Sequence, residues 1–176
     1  MNIEIKKIKM IISDVDGVWT DGTFYKGTDG QEFKKFNVSD GVGVAMARAA
    51  NFGIALISGR YSPATEYRAK ELNIEDVYNG GLNKIPAYEE LKKKHNLIDS
   101  EIAYIGDDLI DISVMEKVVA PIAVANAINN VKEMAVYITK TSGGYGAFRE
   151  AVSWIIDQQG RMSEVLKIMK GKIQNS

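Results

Sequence analysis

Four short segments of this 176-residue chain set reactive side chains where apolar runs stop: Asp14-Val15-Asp16-Gly17, Ser58-Gly59-Arg60, Lys84 at a helix start, and Gly106-Asp107-Asp108. Each has a plain structural reading. An Asp leaving a strand serves as a turn former, Ser58-Gly59 as a tight turn, Asp108 as a helix cap, Asp111 as a first-turn acid and Lys84 as a solvated charge. Convergence changes the weighing. Carboxylates leaving two strands repel one another at a shared rim, and a cation is what makes such crowding tolerable. Two or three carboxylates, a hydroxyl, a lysine and a magnesium ion suit phosphoryl transfer, where positioning and electrostatic stabilisation supply most of the catalysis. Asp14 is then the nucleophile that forms an aspartyl-phosphate. Asp16 protonates the leaving oxygen and later takes a proton from the attacking water. Ser58, the Gly59 amide and Lys84 hold phosphoryl oxygens, and Asp107 anchors magnesium.

Composition narrows the partners. Lysine and arginine number 22 against 23 acidic residues, a formal charge of -1, which gives no basic footprint for nucleic acid. With no cysteine and one histidine, His95, disulfides and thiolate metal sites are excluded, and a metal must find oxygen ligands, which favours a hard cation such as magnesium. The longest apolar stretch, 45–57, is broken by Arg48 and Asn51, short of the ~18 uninterrupted residues a membrane span needs. The amino-terminal segment lacks a small-residue cleavage site ahead of Ser13-Asp14, so a cytoplasmic location is expected.

The elements that must position these residues alternate. Strand-like runs at 8–13, 54–57, 76–78, 102–105, 122–124 and 136–138 are separated by helical spacing at 40–50, capped by Ser39, at 63–72, capped by Ser62 with Pro63 first, and at 84–95 after Asn83. Further helices are expected at 109–117, 130–134 and 147–158. The pattern is α/β: a Rossmann-like parallel sheet sandwiched by helices, with ligands collecting beyond the carboxyl ends of the strands. Residues 18–37 contain Lys26-Gly27-Thr28-Asp29-Gly30 between strand-like positions, a β-hairpin inserted after the first strand and too short to be a separate cap domain. Residues 1–159 form one domain on this reading. A tail over 160–176 sets Met162, Val165, Leu166, Met169 and Ile173 on one amphipathic helical face.

In combination, Asp14-Val15-Asp16-Gly17-Val18, Ser58-Gly59-Arg60, Lys84 and Gly106-Asp107-Asp108-Leu109-Ile110-Asp111 resemble the four ordered motifs of haloacid dehalogenase-type phosphatases. The likeness runs from about Ile8 to Gln158. It is nearest the capless branch that hydrolyses 3-deoxy-D-manno-octulosonate 8-phosphate, an intermediate of lipopolysaccharide synthesis. Trp19-Thr20-Asp21-Gly22, Phe36-Asn37-Val38-Ser39-Asp40-Gly41 and Gly143-Gly144-Tyr145-Gly146 resemble signatures of that branch; Trp19 stands where leucine is common.

The resemblance implies magnesium held by the Asp14 and Asp107 side chains and the Asp16 carbonyl, with Asp108 and Asp111 around the metal or orienting Lys84. It also implies a homotetramer in which hairpins meet and a neighbour covers each site. Arg60 would pair with the sugar-acid carboxylate, whereas the related nonulosonate 9-phosphate phosphatases tend to be acidic there. Two other classes bear comparison: a receiver-type phosphoacceptor, whose acidic pair and acceptor lie on different strands, and a non-catalytic oligomerisation module.

Overall fold

The computed structural model describes residues 3–174. In chain order it forms β1 (Met10–Ser13), β2 (Phe24–Lys26), β3 (Glu32–Lys34), α1 (Val38–Ala49), β4 (Gly53–Ser58), α2 (Pro63–Glu71), β5 (Asp76–Asn79), α3 (Ile85–His95), β6 (Ile102–Gly106), α4 (Ile112–Met115), β7 (Ala120–Ala123), α5 (Asn129–Met134), β8 (Tyr137–Ile138), α6 (Ala147–Gln158) and α7 (Met162–Gln174). Six strands make one sheet in the order β5-β4-β1-β6-β7-β8, and every neighbouring pair in it is parallel. β1, β6 and β7 are buried throughout, as strands covered on both faces must be, which explains their largely apolar sequence. The chain leaves β1 towards β4 on one side and returns to β6 on the other, so the crevice opens at the carboxyl end of β1.

The expected α/β architecture is present, with local differences. α1 starts at Val38 and not at Asp40, because Asn37 is the cap: its Oδ1 accepts from the Ser39 amide at 2.9 Å. Ser62 occupies the cap position of α2 but its hydroxyl donates to Glu32 Oε1 at 2.8 Å, leaving Pro63 to fix the first turn. The helix expected at 109–117 is a 3-10 turn, Leu109–Asp111, running into the single turn of α4. The hairpin β2–β3 is antiparallel and, among the described residues, joined to no other strand; Val18, Trp19 and Thr20, within the expected insert of about 18–37, are buried and precede its first strand. Asn96 ends α3 in the left-handed conformation, φ 50°.

The tail forms α7, which packs against α1 and α6; Arg161 Nη1 donates to the Ala50 carbonyl at 2.9 Å and Val165 is fully buried. The expected stripe is only partly used. Met162 and Met169 pack on the core, whereas Leu166 and Ile173 are exposed. Residues 1, 2, 175 and 176 of the expected domain and tail lie outside the described residues.

Candidate active site

Three of the reactive segments touch at the carboxyl edge of the sheet, through Asp14, Lys84 and the Asp107–Asp111 loop, and the fourth, Ser58-Gly59-Arg60, leaves the neighbouring β4 at the same edge. The Asp14 amide donates to the Ile105 carbonyl at 2.9 Å, which ties the loop leaving β1 to β6. The next turn closes on Val15, whose carbonyl accepts from the Trp19 amide at 2.9 Å. Gly17 holds φ +89°, and a Cβ there would lie 1.9 Å from Asp107 Oδ2. Only glycine admits both that backbone and that carboxylate. The far wall is as tight: a Cβ on Gly143 would stand 1.7 Å from the Gly17 carbonyl. Asn126 bridges the two loops, donating to that carbonyl at 3.1 Å and accepting from the Gly143 amide at 2.6 Å.

Lys84 is the hub. Its side chain is fully buried, so the solvated alternative is excluded, and Nζ lies 2.9 Å from Asp14 Oδ1, 2.7 Å from Asp111 Oδ1 and 3.1 Å from the Tyr104 hydroxyl. Burial opposes its charged form, but the Asp14 and Asp111 carboxylates outweigh burial and raise its pKa. Asp111 Oδ1 also accepts from the Tyr104 hydroxyl at 2.6 Å. Its Oδ2 accepts from the Asp107 and Asp108 amides at 2.8 and 3.1 Å. With both oxygens committed, Asp111 orients Lys84 and the loop. Asp108 is exposed and caps the 3-10 turn, accepting from the Leu109 amide at 2.7 Å.

Asp14, Asp107 and Asp111 bring carboxylate oxygens within 4.8 Å of one another. Burial is the main force raising the Asp14 pKa; Lys84 opposes that rise and Asp111 adds to it. Burial likewise raises Asp107, reinforced by the Asp14, Asp111 and Asp108 charges. Oδ1 of Asp14, beside Lys84 but outside hydrogen-bond geometry, and Oδ1 of Asp107 are both buried without a hydrogen-bond partner among the described residues. Crowded, hard oxygen donors, one of them on Asp107 without a hydrogen bond, are what magnesium requires, so these residues fit that ion.

Ser58 is buried and its hydroxyl donates to the Arg60 carbonyl at 2.9 Å; Gly59 follows at the rim. The Arg60 guanidinium forks onto Glu32 of the hairpin, with Nη1 2.9 Å from Oε1 and Nη2 on Oε2, and it covers the Phe24 ring at 4.2 Å. Arg60, helped by Ser62, holds the Glu32 carboxyl down at about 2. The Asp16 carboxylate is met by Lys34, also from the hairpin. Sequence reasoning missed Glu32, Lys34, Tyr104 and Asn126. Only the first two carried a signal, as alternate polar positions on one face of a strand whose intervening residue is Phe33.

The fold and the site define a phosphoryl-transfer enzyme built on an aspartate pair and a buried lysine. Residues 54–147 match the haloacid dehalogenase-like hydrolase family, and the chain belongs to it. It is 42% identical over 159 residues to the 3-deoxy-D-manno-octulosonate 8-phosphate phosphatase KdsC of Salmonella typhi, covering 90% of this chain and 85% of that protein. The crystal structure of the phosphatase of that name from Yersinia pestis superposes with a TM-score of 0.88 at 39% identity, covering 91% of this chain and 86% of that one. Its counterpart from Moraxella catarrhalis, determined with magnesium ion, phosphate ion and KDO, gives a TM-score of 0.89 at 34% identity, covering 94% and 95%.

Proposed function

We propose that this chain is a magnesium-dependent phosphomonoesterase that hydrolyses 3-deoxy-D-manno-octulosonate 8-phosphate to the free sugar acid and phosphate, in lipopolysaccharide precursor synthesis. The observation that carries the chemistry is the buried Lys84 ion-paired with Asp14, beside an Asp107 Oδ1 that has no hydrogen-bond partner among the described residues. The substrate rests on the curated relatives, which bear that activity in their names at 41–42% identity. They do not favour the nonulosonate, receiver or non-catalytic alternatives.

Asp14 and Asp107 side chains with the Asp16 carbonyl would hold magnesium. Bound there, the ion offsets the repulsion between the carboxylates and the phosphate dianion. A carboxylate oxygen of Asp14 attacks phosphorus, the bond to the sugar oxygen breaks, and Asp16 gives its proton to that oxygen. Asp16 then accepts a proton from water as the water oxygen attacks phosphorus, which returns Asp14 free and releases phosphate. Ser58, the Gly59 amide and Lys84 hold the phosphoryl oxygens, with Asp111 keeping Lys84 in line. Arg60, and Asp108 on the rim, face the sugar acid.

The same reading makes residues 1–159 one domain and α7 an appendage. It also takes the chain as a cytoplasmic homotetramer. Supporting this, Tyr25 and Phe33 pair across the hairpin on its outer face and are 65% and 59% exposed, an apolar patch that suits the meeting of copies. Among the described residues no helix is long and apolar enough to cross a membrane. A phosphate-release screen over eight- and nine-carbon 2-keto-3-deoxy sugar phosphates, with and without magnesium, tests the function. Turnover of the eight-carbon ester only with the metal is the expected result, and preference for a nine-carbon ester overturns the substrate. Light scattering on the eluted protein tests the tetramer.

A further inference from the structure

We infer that Lys34, carried in by the hairpin, is a positioning residue for proton transfer: its ammonium holds the Asp16 carboxylate in the orientation that serves the leaving oxygen. The inference deepens the proposed function and rests on its assignment of Asp16 as the acid. Lys34 Nζ lies 2.7 Å from Asp16 Oδ1 and 2.9 Å from Oδ2, and it donates to the Thr65 hydroxyl on α2 at 3.3 Å.

The Lys34 side chain has no solvent exposure, while the Asp16 side chain is 32% exposed. Burying an ammonium is costly unless its charge and its three donors are matched, and here Asp16 and Thr65 match them. The dependence runs both ways. Among the described residues no other group hydrogen-bonds to the Asp16 carboxylate, so its side-chain torsions are set by Lys34. A carboxyl that must meet an oxygen only as a bond to phosphorus breaks gains rate from being held in advance. In that step Asp16 carries its proton on one oxygen and keeps the Lys34 ammonium on the other; the proton passes to the leaving oxygen, which keeps the bonding electron pair, and Lys34 gives up no proton.

A lysine that only fastened the hairpin would occupy the same place, and the leaving group separates the two roles. A sugar alcohol leaves only as it is protonated, whereas p-nitrophenolate leaves without a proton. The kcat/KM value covers steps through departure of the leaving group and excludes hydrolysis of the phosphoenzyme.

The experiment measures kcat/KM with saturating magnesium for octulosonate 8-phosphate and p-nitrophenyl phosphate, on the wild type, Lys34→Met, Asp16→Asn and the double variant. Lys34→Met is expected to lose about 10- to 100-fold on the sugar phosphate and less than about 3-fold on the aryl phosphate, a partial loss that reaches only the lower end of what removing a general acid costs. The double variant should be no worse than Asp16→Asn on the sugar phosphate, since the lysine acts through that residue. Equal losses on both substrates, no loss on the sugar phosphate, or additive losses in the double variant overturn the inference. If Asp16→Asn is itself indifferent to the leaving group, the assignment of Asp16 fails first and takes the inference with it. Lys34→Gln, which keeps a donor and removes the charge, carries the same test should the Met variant not fold.

Discussion

Gly17 and Asp107 are in such close apposition that a single methyl group on Gly17 would fall 1.9 Å from the Asp107 carboxylate. The backbone at Gly17 is also left-handed, φ +89°. Gly17→Ala is therefore expected to displace Asp107, lower kcat/KM by more than about 100-fold and cost about 1–3 kcal/mol of stability. Activity assays and urea unfolding check both figures; a fold and a rate near wild type would mean the loop yields.

Burial and mutual repulsion raise Asp14 and Asp107, so a cation entering the site must displace protons. Magnesium should bind more tightly at pH 8 than at pH 6, the direction set by carboxyls that stay protonated at the lower value. At one hundred times its dissociation constant the ion adds about 2.7 kcal/mol, a rise of roughly 5–10 °C in Tm. Scanning calorimetry should record that rise for the wild type and lose most of it for Asp107→Asn.

Arg60 is engaged by Glu32, and in the proposed function it also faces the sugar-acid carboxylate. Arg60→Ala should weaken hydrolysis of the octulosonate ester far more than that of a neutral sugar phosphate. Glu32→Gln should lower the octulosonate KM, because it relaxes the competing pair. Steady-state kinetics on both esters decide, and equal losses for Arg60→Ala would remove the arginine from substrate recognition.

Asp40, fully buried, accepts from the Arg149 amide at 3.2 Å, and its Oδ2 has no hydrogen-bond partner among the described residues. Burial pushes its carboxyl up to about 6. From about pH 4 to about 6 the unfolded chain has released this proton while the folded chain keeps it, so stability falls as pH rises through that window and then levels. The contribution is on the order of 3 kcal/mol. Subtracting urea-derived stabilities of Asp40→Asn from those of the wild type across the window should expose that slope; a flat difference would refute it.

The sheet and its reactive edge were legible because the determining signals are local. Apolar runs such as Ile8–Ile12 end in Asp14, and Ile102–Ile105 end in Asp107, whatever the rest of the chain does. Hairpin turn residues Gly27–Gly30 were also legible. What escaped depends on tertiary approach. Lys34 gives no local hint that it will meet Asp16, eighteen residues earlier. Tyr104 looks like an ordinary strand aromatic until Asp111 folds back onto it. Asn126 sits in a loop whose partner, Gly17, is 109 residues away. The Ser39 cap and the 109–117 helix failed for a different reason: competing side-chain acceptors one or two residues off redirect the backbone.

Among the described residues the hairpin pairs with no sheet strand, yet its inward rungs supply the partners of both Arg60 and Asp16, while the nucleophile follows β1 and its lysine stands at the start of α3 at the carboxyl edge of the sheet. The enzyme is thus divided into a fixed anvil and an exchangeable tool head. Grafting a foreign hairpin should redirect which alcohol is released, provided the graft keeps a lysine to meet Asp16.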